Sequence, residues 1–373
     1  MSRLRCPCGG LDRLAPAHAP ARDHALISLF QPQETDLEET IHPGLGSLRL
    51  RSPGPIVVRE PVRCGRLALE RVKGATSITR QASGQQFGSR WGLRGTEDLG
   101  GGLKAVFQLE SGINITNGAL GQGGLMFGRQ AYVGLAGDFG AVRLGRQYSP
   151  MDDVAGLVGT KVYDVLSVVP IIGNGDYNRV NSAVTYLSPK VADTTFQAQY
   201  SFGNPRPAGD PSPDYTKQFS VHAIHASGPL TLGVSLMRVI DDNSTTAGNQ
   251  GKNAALLVGG YNFGSFKVTG YYDQEDKGTE KMKVYGLQAA VPFGETTVSV
   301  GMAQAKNVTG LASASKDDAK IYTLQASHNL SKRTALYANL TVVSNGANAA
   351  LGFNSPVAGK NSNGVQFGLR HRF

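Results

Sequence analysis

The sequence predicts an all-β fold, a transmembrane antiparallel β-barrel, and three observations support this class. Apolar and polar residues alternate along many segments: in 89–95, Trp91 and Leu93 share one face and Arg90 and Arg94 occupy the other. Short turns alternate with long connections. No apolar run approaches the roughly 20 residues of a transmembrane helix. Because a barrel strand needs only every second residue to be apolar, the pattern predicts strands between lipid and a wet lumen.

Fifteen alternating segments begin at Ser89 and define the predicted strands. They lie near 89–97, 102–111, 126–136, 140–147, 179–188, 193–202, 217–226, 229–238, 254–262, 265–273, 281–290, 295–305, 319–328, 333–343 and 363–373. Short connections are predicted at 98–101, 138–139, 189–190, 227–228, 263–264, 293–294 and 330–331. Long connections are predicted at 112–125, 148–178, 203–216, 239–253, 274–280, 306–318 and 344–362. Short turns at one rim and long loops at the other are typical of membrane barrels.

The chain changes composition near Gly74. Residues 1–75 hold all three cysteines, ten arginines against one lysine, and eight prolines, whereas residues 76–373 hold all 13 tyrosines and no cysteine. We therefore predict a leader over 1–75 and the barrel over 76–373. An Arg/Pro-rich leader of this kind is expected to be disordered. The other interpretation is a mis-assigned start, from a wrong start codon or a shifted reading frame upstream of an intact gene body.

The leader lacks the pattern of an export signal, which needs a basic start, an apolar stretch of about 7–15 residues and a small-residue cleavage site. Its apolar runs, such as 25–27, stop at three residues. Cys6 and Cys8 have no second pair at zinc spacing, so we expect no metal and no other cofactor.

Neither nucleic-acid binding nor catalysis is favoured. Residues 76–373 hold 26 basic and 20 acidic residues, a modest excess for a nucleic-acid partner. His222 and His225 lie three apart on a predicted strand and so point to opposite faces, which is unsuited to one metal ion. Ser313 and Lys316 match a Ser-x-x-Lys pattern but lie in a predicted polar loop. We expect that the protein is not an enzyme.

Several motifs resemble those of a known family. The chain contains, in order, SRWGLRGTEDLGGGLKAVFQLESG, MFGRQAYVGL, LGRQYSP, NRVNSAVTY and the terminal NGVQFGLRHRF. These resemble the general diffusion porins of Gram-negative outer membranes, most closely the beta-proteobacterial type, over roughly residues 76–373. The resemblance implies a 16-stranded barrel in the outer membrane, passive diffusion of small hydrophilic solutes and ions, and a homotrimer in contact with lipid and lipopolysaccharide. It also implies that the loop 148–178 folds into the pore.

The resemblance leaves one strand unaccounted for. The final strand and the strand 89–97 both run toward the short-turn rim, so pairing them directly would put a parallel pair into an antiparallel barrel. An unpaired strand edge is untenable in lipid, so a sixteenth strand is required. We expect a replacement for the family's first strand; Gly65 to Lys73 alternates only briefly but is the candidate for the gap.

The resemblance also implies a cluster of arginines on the barrel wall at the pore constriction. By their surrounding motifs, Arg90, Arg129 and Arg179 match it, and Arg94 and Arg146 are further candidates. Alternation supports Arg90 and Arg179. Arg129 shares the parity of apolar neighbours and would need a bulge or a late strand start; Arg146 has the same difficulty.

Carboxylates of the loop 148–178 are predicted to face these arginines across the pore. The candidates are Asp152, Asp153 and Asp164, with Asp176 in the same loop. Opposed charges at a narrow point create a transverse field that filters solutes by charge and size. Because the barrel segment is net positive, we expect mild anion preference.

The C-terminus and the alternative function complete the sequence-based expectations. In the resembled family, a C-terminal Phe on an alternating strand is read by the barrel-assembly machinery, and Phe373 fits that position. The alternative to a nonspecific pore is a ligand-specific channel or an adhesin-like barrel using its long loops. Aromatic runs along the lumen would favour a ligand track, but the sequence offers Tyr271-Tyr272 and little else, so the nonspecific pore is favoured.

Overall fold

The computed structural model describes residues 57–58, 62–84, 88–158, 179–203, 217–240, 251–277, 280–310, 313–354 and 356–373. These residues form one sheet of eighteen strand segments. The strands are β1 (Val57–Val58), β2 (Val62–Lys73), β3 (Ser77–Ser83), β4 (Arg90–Gly100), β5 (Leu103–Gly112), β6 (Gln130–Gly137), β7 (Gly140–Tyr148), β8 (Arg179–Leu187), β9 (Thr194–Ser201), β10 (Lys217–Ser227), β11 (Leu230–Ile240), β12 (Lys252–Asn262), β13 (Lys267–Lys277), β14 (Glu280–Phe293), β15 (Thr296–Gly310), β16 (Ser313–Asn329), β17 (Thr334–Asn345) and β18 (Ser362–His371).

Helical structure is limited to short pieces in the described residues. The helix α1 (Pro150–Ala155) continues into a 3₁₀ turn over Gly156–Val158, and a second 3₁₀ turn covers Gln122–Gly124. Among the residues that the structure describes, no helix has both the length and the apolar composition needed to cross a membrane.

The eighteen segments occupy sixteen positions in a closed antiparallel barrel. The segments β1 and β2 follow each other along one position, and β3 and β4 share the next. Thus β2 pairs with β3 over Leu67–Lys73 and with β4 over Val62–Cys64, while β1 pairs with β4. Each later strand pairs with its neighbour in the chain. The fold class is the predicted 16-stranded barrel.

The strand β2 closes the barrel. Its residues Gly65–Lys73 pair antiparallel with Asn363–His371 of β18. This is the strand of opposite direction that the sequence analysis required, and the candidate stretch 65–73 occupies it. No replacement for the first strand is needed within the barrel.

The predicted leader boundary is therefore wrong, because the barrel includes residues before 76. Two of the charged residues of β2, Arg66 and Glu70, are buried on its lumen face: Glu70 accepts hydrogen bonds from Nε of Arg80, at 2.6 Å, and from Nε2 of Gln366, at 2.9 Å. Leu67 and Leu69 lie on the other face. Residues 1–56 and 59–61 lie outside the described residues, so the interpretation of that part as a leader stays a prediction.

Each of the fifteen predicted strands corresponds to a strand of the sheet, but two predicted long loops are tight hairpins. The prediction of a long loop over 274–280 is wrong, because β13 extends to Lys277 and β14 starts at Glu280. The prediction of a long loop over 306–318 is also wrong, because β15 extends to Gly310 and β16 starts at Ser313. The register between these two strands shifts after Ala305. Strand ends that project beyond the lipid meet water on both faces, so their composition resembles that of loops. The Ser-x-x-Lys stretch consequently starts a strand.

The two faces of the sheet differ as a membrane barrel requires. Leu232, Leu236 and Leu257 are exposed on the outer face, whereas Ser235 and Leu256, on the opposite face, are buried. Large apolar side chains recur on the outer face all around the barrel. An exposed apolar band around a polar interior is the pattern of a lipid-embedded barrel.

Aromatic residues mark the short turns. Phe263 and Phe293 each precede a glycine with positive φ, +87° at Gly264 and +57° at Gly294, which a side chain would strain. The ring of Phe263 stacks on Phe266, with centroids 4.7 Å apart. Aromatic girdles are expected where a barrel meets the membrane–water interface.

We predict that Leu69→Pro prevents barrel closure. Leu69 lies mid-strand between Phe367 of β18 and Gln81 of β3, and proline removes a ladder hydrogen bond there. Heat-modifiability on a gel should show loss of folded barrel, whereas the control Leu69→Ala should fold. A folded proline variant would mean that β2 does not close the sheet.

Candidate functional site

A buried ion pair lies at the centre of the basic wall of the lumen. Nε of Arg129 donates to Oε1 of Glu110, and the two side chains are only 4% and 5% exposed. Glu110 is on β5, and Arg129 immediately precedes β6, which begins at Gln130. This late strand start explains how Arg129 reaches the lumen despite its parity. Gly88 leaves room for the guanidinium, since a Cβ there would lie 2.6 Å from Nη1 of Arg129.

The hydroxyl of Tyr148 joins this ion pair to Arg179. It accepts hydrogen bonds from Nη2 of Arg129 at 2.5 Å and from Nη2 of Arg179 at 2.8 Å. The guanidinium carbon of Arg179 also lies 4.5 Å from the centroid of the Tyr148 ring. Tyr148 ends β7 and pairs directly with Arg179 at the start of β8. A phenol oxygen can accept two hydrogen bonds, so a neutral group holds two cations side by side.

Arg146 is fixed close to these residues by a distortion of the sheet. The register between β7 and β8 shifts after Gly145, which has φ +128°. Nε of Arg146 donates to the carbonyl of Gly128 at 2.8 Å, and Nη1 donates to Oδ1 of Asn181 at 2.5 Å. Simple alternation therefore does not describe this strand end.

The other two predicted arginines lie on β4. Arg90 pairs with Gly112 of β5 and is half-buried, and Arg94 pairs with Gln108 and is exposed in the lumen. The structure thus joins Arg129 and Arg179 through the hydroxyl of Tyr148, whereas Arg94 lines a pocket that Tyr148 also borders.

The first part of the loop 148–178 packs against the wall of the lumen. Ser149 caps α1, its Oγ accepting from the backbone N–H of Asp152 at 3.1 Å. The buried side chains of α1 and of the following 3₁₀ turn pack in one apolar cluster with side chains of β11, β12 and β14. This cluster includes Met151, Val154, Val158, Leu256, Val258 and Val284. Gly233 makes space, since a Cβ there would lie 2.5 Å from Cδ1 of Leu157.

A histidine also fastens this loop to the wall. Nδ1 of His222 lies 3.2 Å from the carbonyl of Pro150, to which it donates when protonated there. Nδ1 of His225 lies instead 3.0 Å from Oγ1 of Thr194. The two histidines therefore point to opposite faces of β10, as the sequence predicts. The loop start is therefore held by apolar packing and by a polar contact.

The acidic candidates separate into three cases. Asp152 is buried in the first turn of α1. Asp153 is 40% exposed, and its Oδ2 lies 4.0 Å from Nδ1 of His222. Asp164 and Asp176 lie outside the described residues.

The pKa of Asp153 is raised to about 6. Desolvation by the surrounding protein is the main cause, and the positive charge of Arg143 opposes it. The exposed part of the side chain meets a lumen enclosed by protein.

A pocket of about 520 Å³ lies between the wall and α1. The residues that line it include Arg94, Gln108, Tyr132, Arg143, Gln147, Tyr148, Asp153 and Gln197. Hereafter we call it the lumen pocket. It brings guanidinium groups of the wall and a carboxylate of the loop to one space.

Sequence reasoning missed Glu110, Tyr148 and Arg143. The guanidinium carbon of Arg143 lies 5.0 Å from the centroid of the Tyr132 ring. Arg143 stands between Val142 and Leu144, so alternation alone could have placed it on the lumen face. The link through Tyr148 depends on a register shift and has no comparable signal in the sequence.

A closed barrel with an apolar outer face, a charged lumen and a loop packed inside defines a membrane channel. The chain belongs to the Gram-negative porin family, whose model matches residues 65–348. It is an outer-membrane porin, a water-filled channel through which small hydrophilic solutes and ions diffuse passively.

Individual relatives agree with this assignment. The chain is 32% identical to the outer membrane porin protein 32 of Delftia acidovorans over 311 residues, covering 76% of this chain and 84% of the relative. It is 29% identical to an outer membrane porin protein of Bordetella pertussis over 330 residues, covering 78% and 84%. The structure resembles the anion-selective porin from Comamonas acidovorans with a TM-score of 0.71 and 28% identity, covering 86% and 100%. These relatives are channels rather than enzymes.

We predict that anion preference rises when the pH falls through about 6, because Asp153 then loses its negative charge. The reversal potential in a salt gradient across a planar bilayer measures this. Other groups of the channel also gain protons on acidification, so Asp153→Asn supplies the baseline. A shift of equal size in wild type and Asp153→Asn would contradict the prediction.

Proposed function

We propose that the basic wall and the loop form the constriction of the channel and give it a mild preference for anions. The basic group comprises Arg90, Arg94, Arg129, Arg146 and Arg179, and the opposing carboxylates are Asp152, Asp153 and Asp164. Arginine stays ionised at any working pH, so the wall keeps its charge under all assay conditions.

The observation that carries this proposal is the balance of charge around Tyr148. Glu110 neutralises Arg129, whereas within the described residues Arg179 bonds to a neutral hydroxyl and has no carboxylate within ion-pair distance. One guanidinium charge is therefore left to act on the lumen. The similarity to an anion-selective porin supports the same sign.

We expect Arg179→Gln to shift the reversal potential in a salt gradient toward cations. The anion-to-cation permeability ratio should fall by up to roughly thirty-fold, because a unit charge about 4 Å from an ion contributes about 1 kcal/mol in water, attracting the anion and repelling the cation. Replacing Arg90, Arg129 and Arg179 together by small neutral residues should shift it further and raise the conductance. Arg372→Gln, at the C-terminal end, is the control. Unchanged selectivity in the triple variant would place these arginines away from the constriction.

We further propose a homotrimer in contact with lipopolysaccharide, delivered by the barrel-assembly machinery. Phe373 follows β18, and its exposed ring packs edge-on against His371 with centroids 5.0 Å apart. The outer-face residues Phe367 and Leu369 precede it on the same strand. This C-terminal end is open to a binding partner.

Deleting Phe373 should lower the yield of folded protein in cells when the chain is exported with a working signal sequence. Refolding of the purified variant in detergent should be little changed, because Phe373 lies beyond the paired residues of β18. The amount of heat-modifiable trimer on a gel measures both the yield in cells and the yield of refolding in detergent. An unchanged cellular yield would sink the proposed assembly role.

A further inference from the structure

The lumen pocket presents charges of both signs to one solute-sized space. Arg143 lines it from β7, Arg94 from β4, and Asp153 from α1. Its volume of about 520 Å³ lies in the range of small-molecule sites. The opposed charges belong to different elements, so a solute between them would touch the wall and the loop together.

The guanidinium of Arg143 is available to a solute. Among the described residues it has no carboxylate within ion-pair distance, and it lies over the face of the Tyr132 ring. The hydroxyl of Tyr132 lies 3.2 Å from Oε1 of Gln108, to which it donates. The ring thus holds the cation in place without neutralising it.

The carboxylate of Asp153 is the matching group on the loop. Its Oδ2 is 4.0 Å from Nδ1 of His222, beyond hydrogen-bond distance, and the side chain is partly exposed. The apolar packing of Met151 and Val154 holds α1 against the wall. Asp153 therefore lies on a helix that is held in place against the wall of the lumen. At neutral pH it is mostly ionised.

Amide groups complete the pocket. Nε2 of Gln147 lies 3.3 Å from the carbonyl of Arg143, and Gln197 lines the same space. An amide carries both donors and acceptors, but Nε2 of Gln147 is already used by the backbone of the wall, so these groups line the space and do not select its solute.

These charges discriminate among solutes. A simple anion is attracted by Arg143 and repelled by Asp153, and a simple cation meets the reverse. A molecule with a carboxylate at one end and an ammonium at the other is attracted by both. We propose that the lumen pocket binds small zwitterions of the amino-acid class, with the carboxylate toward Arg143 and the ammonium toward Asp153. This deepens the proposed channel function and rests on it.

The test is swelling of liposomes that contain the full-length protein, at neutral pH. The probe is L-glutamine, a zwitterion without net charge, and the reference is L-arabinose, an uncharged solute of similar mass. The ratio of their swelling rates corrects each preparation for the number and width of its channels. The wild-type ratio should exceed one, and Asp153→Asn and Arg143→Gln should each lower it by up to roughly five-fold. Asp138→Asn, in the exposed β6–β7 turn, should keep the wild-type ratio.

The outcomes separate the two proposals. Entry of arabinose with no preference for glutamine, or with a preference that both pocket variants keep, would overturn the zwitterion site and leave the channel standing. A higher ratio in Asp153→Asn would mean that the pocket handles only the carboxylate, and would also overturn it. If arabinose does not enter at all, the channel fails and the site fails with it.

Discussion

Pairing between β2 and β18 is the constraint on which the rest of the structure depends. In hydrocarbon an unpaired backbone N–H or C=O costs several kcal/mol, so a sheet in lipid must close. The pairs from Gly65↔His371 to Lys73↔Asn363 remove the last two free edges. Closure also fixes which face of each strand meets the lumen, because side chains along a regular strand alternate between the two faces. The positions of the lumen charges follow from this backbone register.

The lumen combines fixed charge with partial neutralisation. One guanidinium, that of Arg129, is buried and paired with Glu110; losing one partner of such a pair typically costs about 3–5 kcal/mol. Arg143 and Arg179 rest instead on tyrosine side chains, which hold a cation without cancelling its charge. Across from them, apolar packing under α1 keeps Asp153 in place. In the constriction that we propose, such an arrangement would act on a passing solute without having to reorganise.

Burial patterns explain where interpretation of the sequence fails. The stretch Val62–Lys73 resembles a leader because its lumen face carries Arg66 and Glu70, and its apolar face is short. The ends of β15 and β16 resemble a loop because strands beyond the lipid are polar on both faces. Apolar and polar residues alternate where one face of a strand meets lipid and the other meets water. The alternation is therefore lost where both faces of a strand meet the same medium.

The sequence by itself determined the fold class, the order of fifteen strands, the family and several arginines of the wall, because lipid on one side imposes a period of two on every strand. Only the tertiary structure decided how those side chains combine. The late start of β6 brings Arg129 to Glu110, and the shift beside Gly145 brings Arg179 to Tyr148. Both depend on register between strands, and period-two alternation within one strand carries no information about the register of its neighbour.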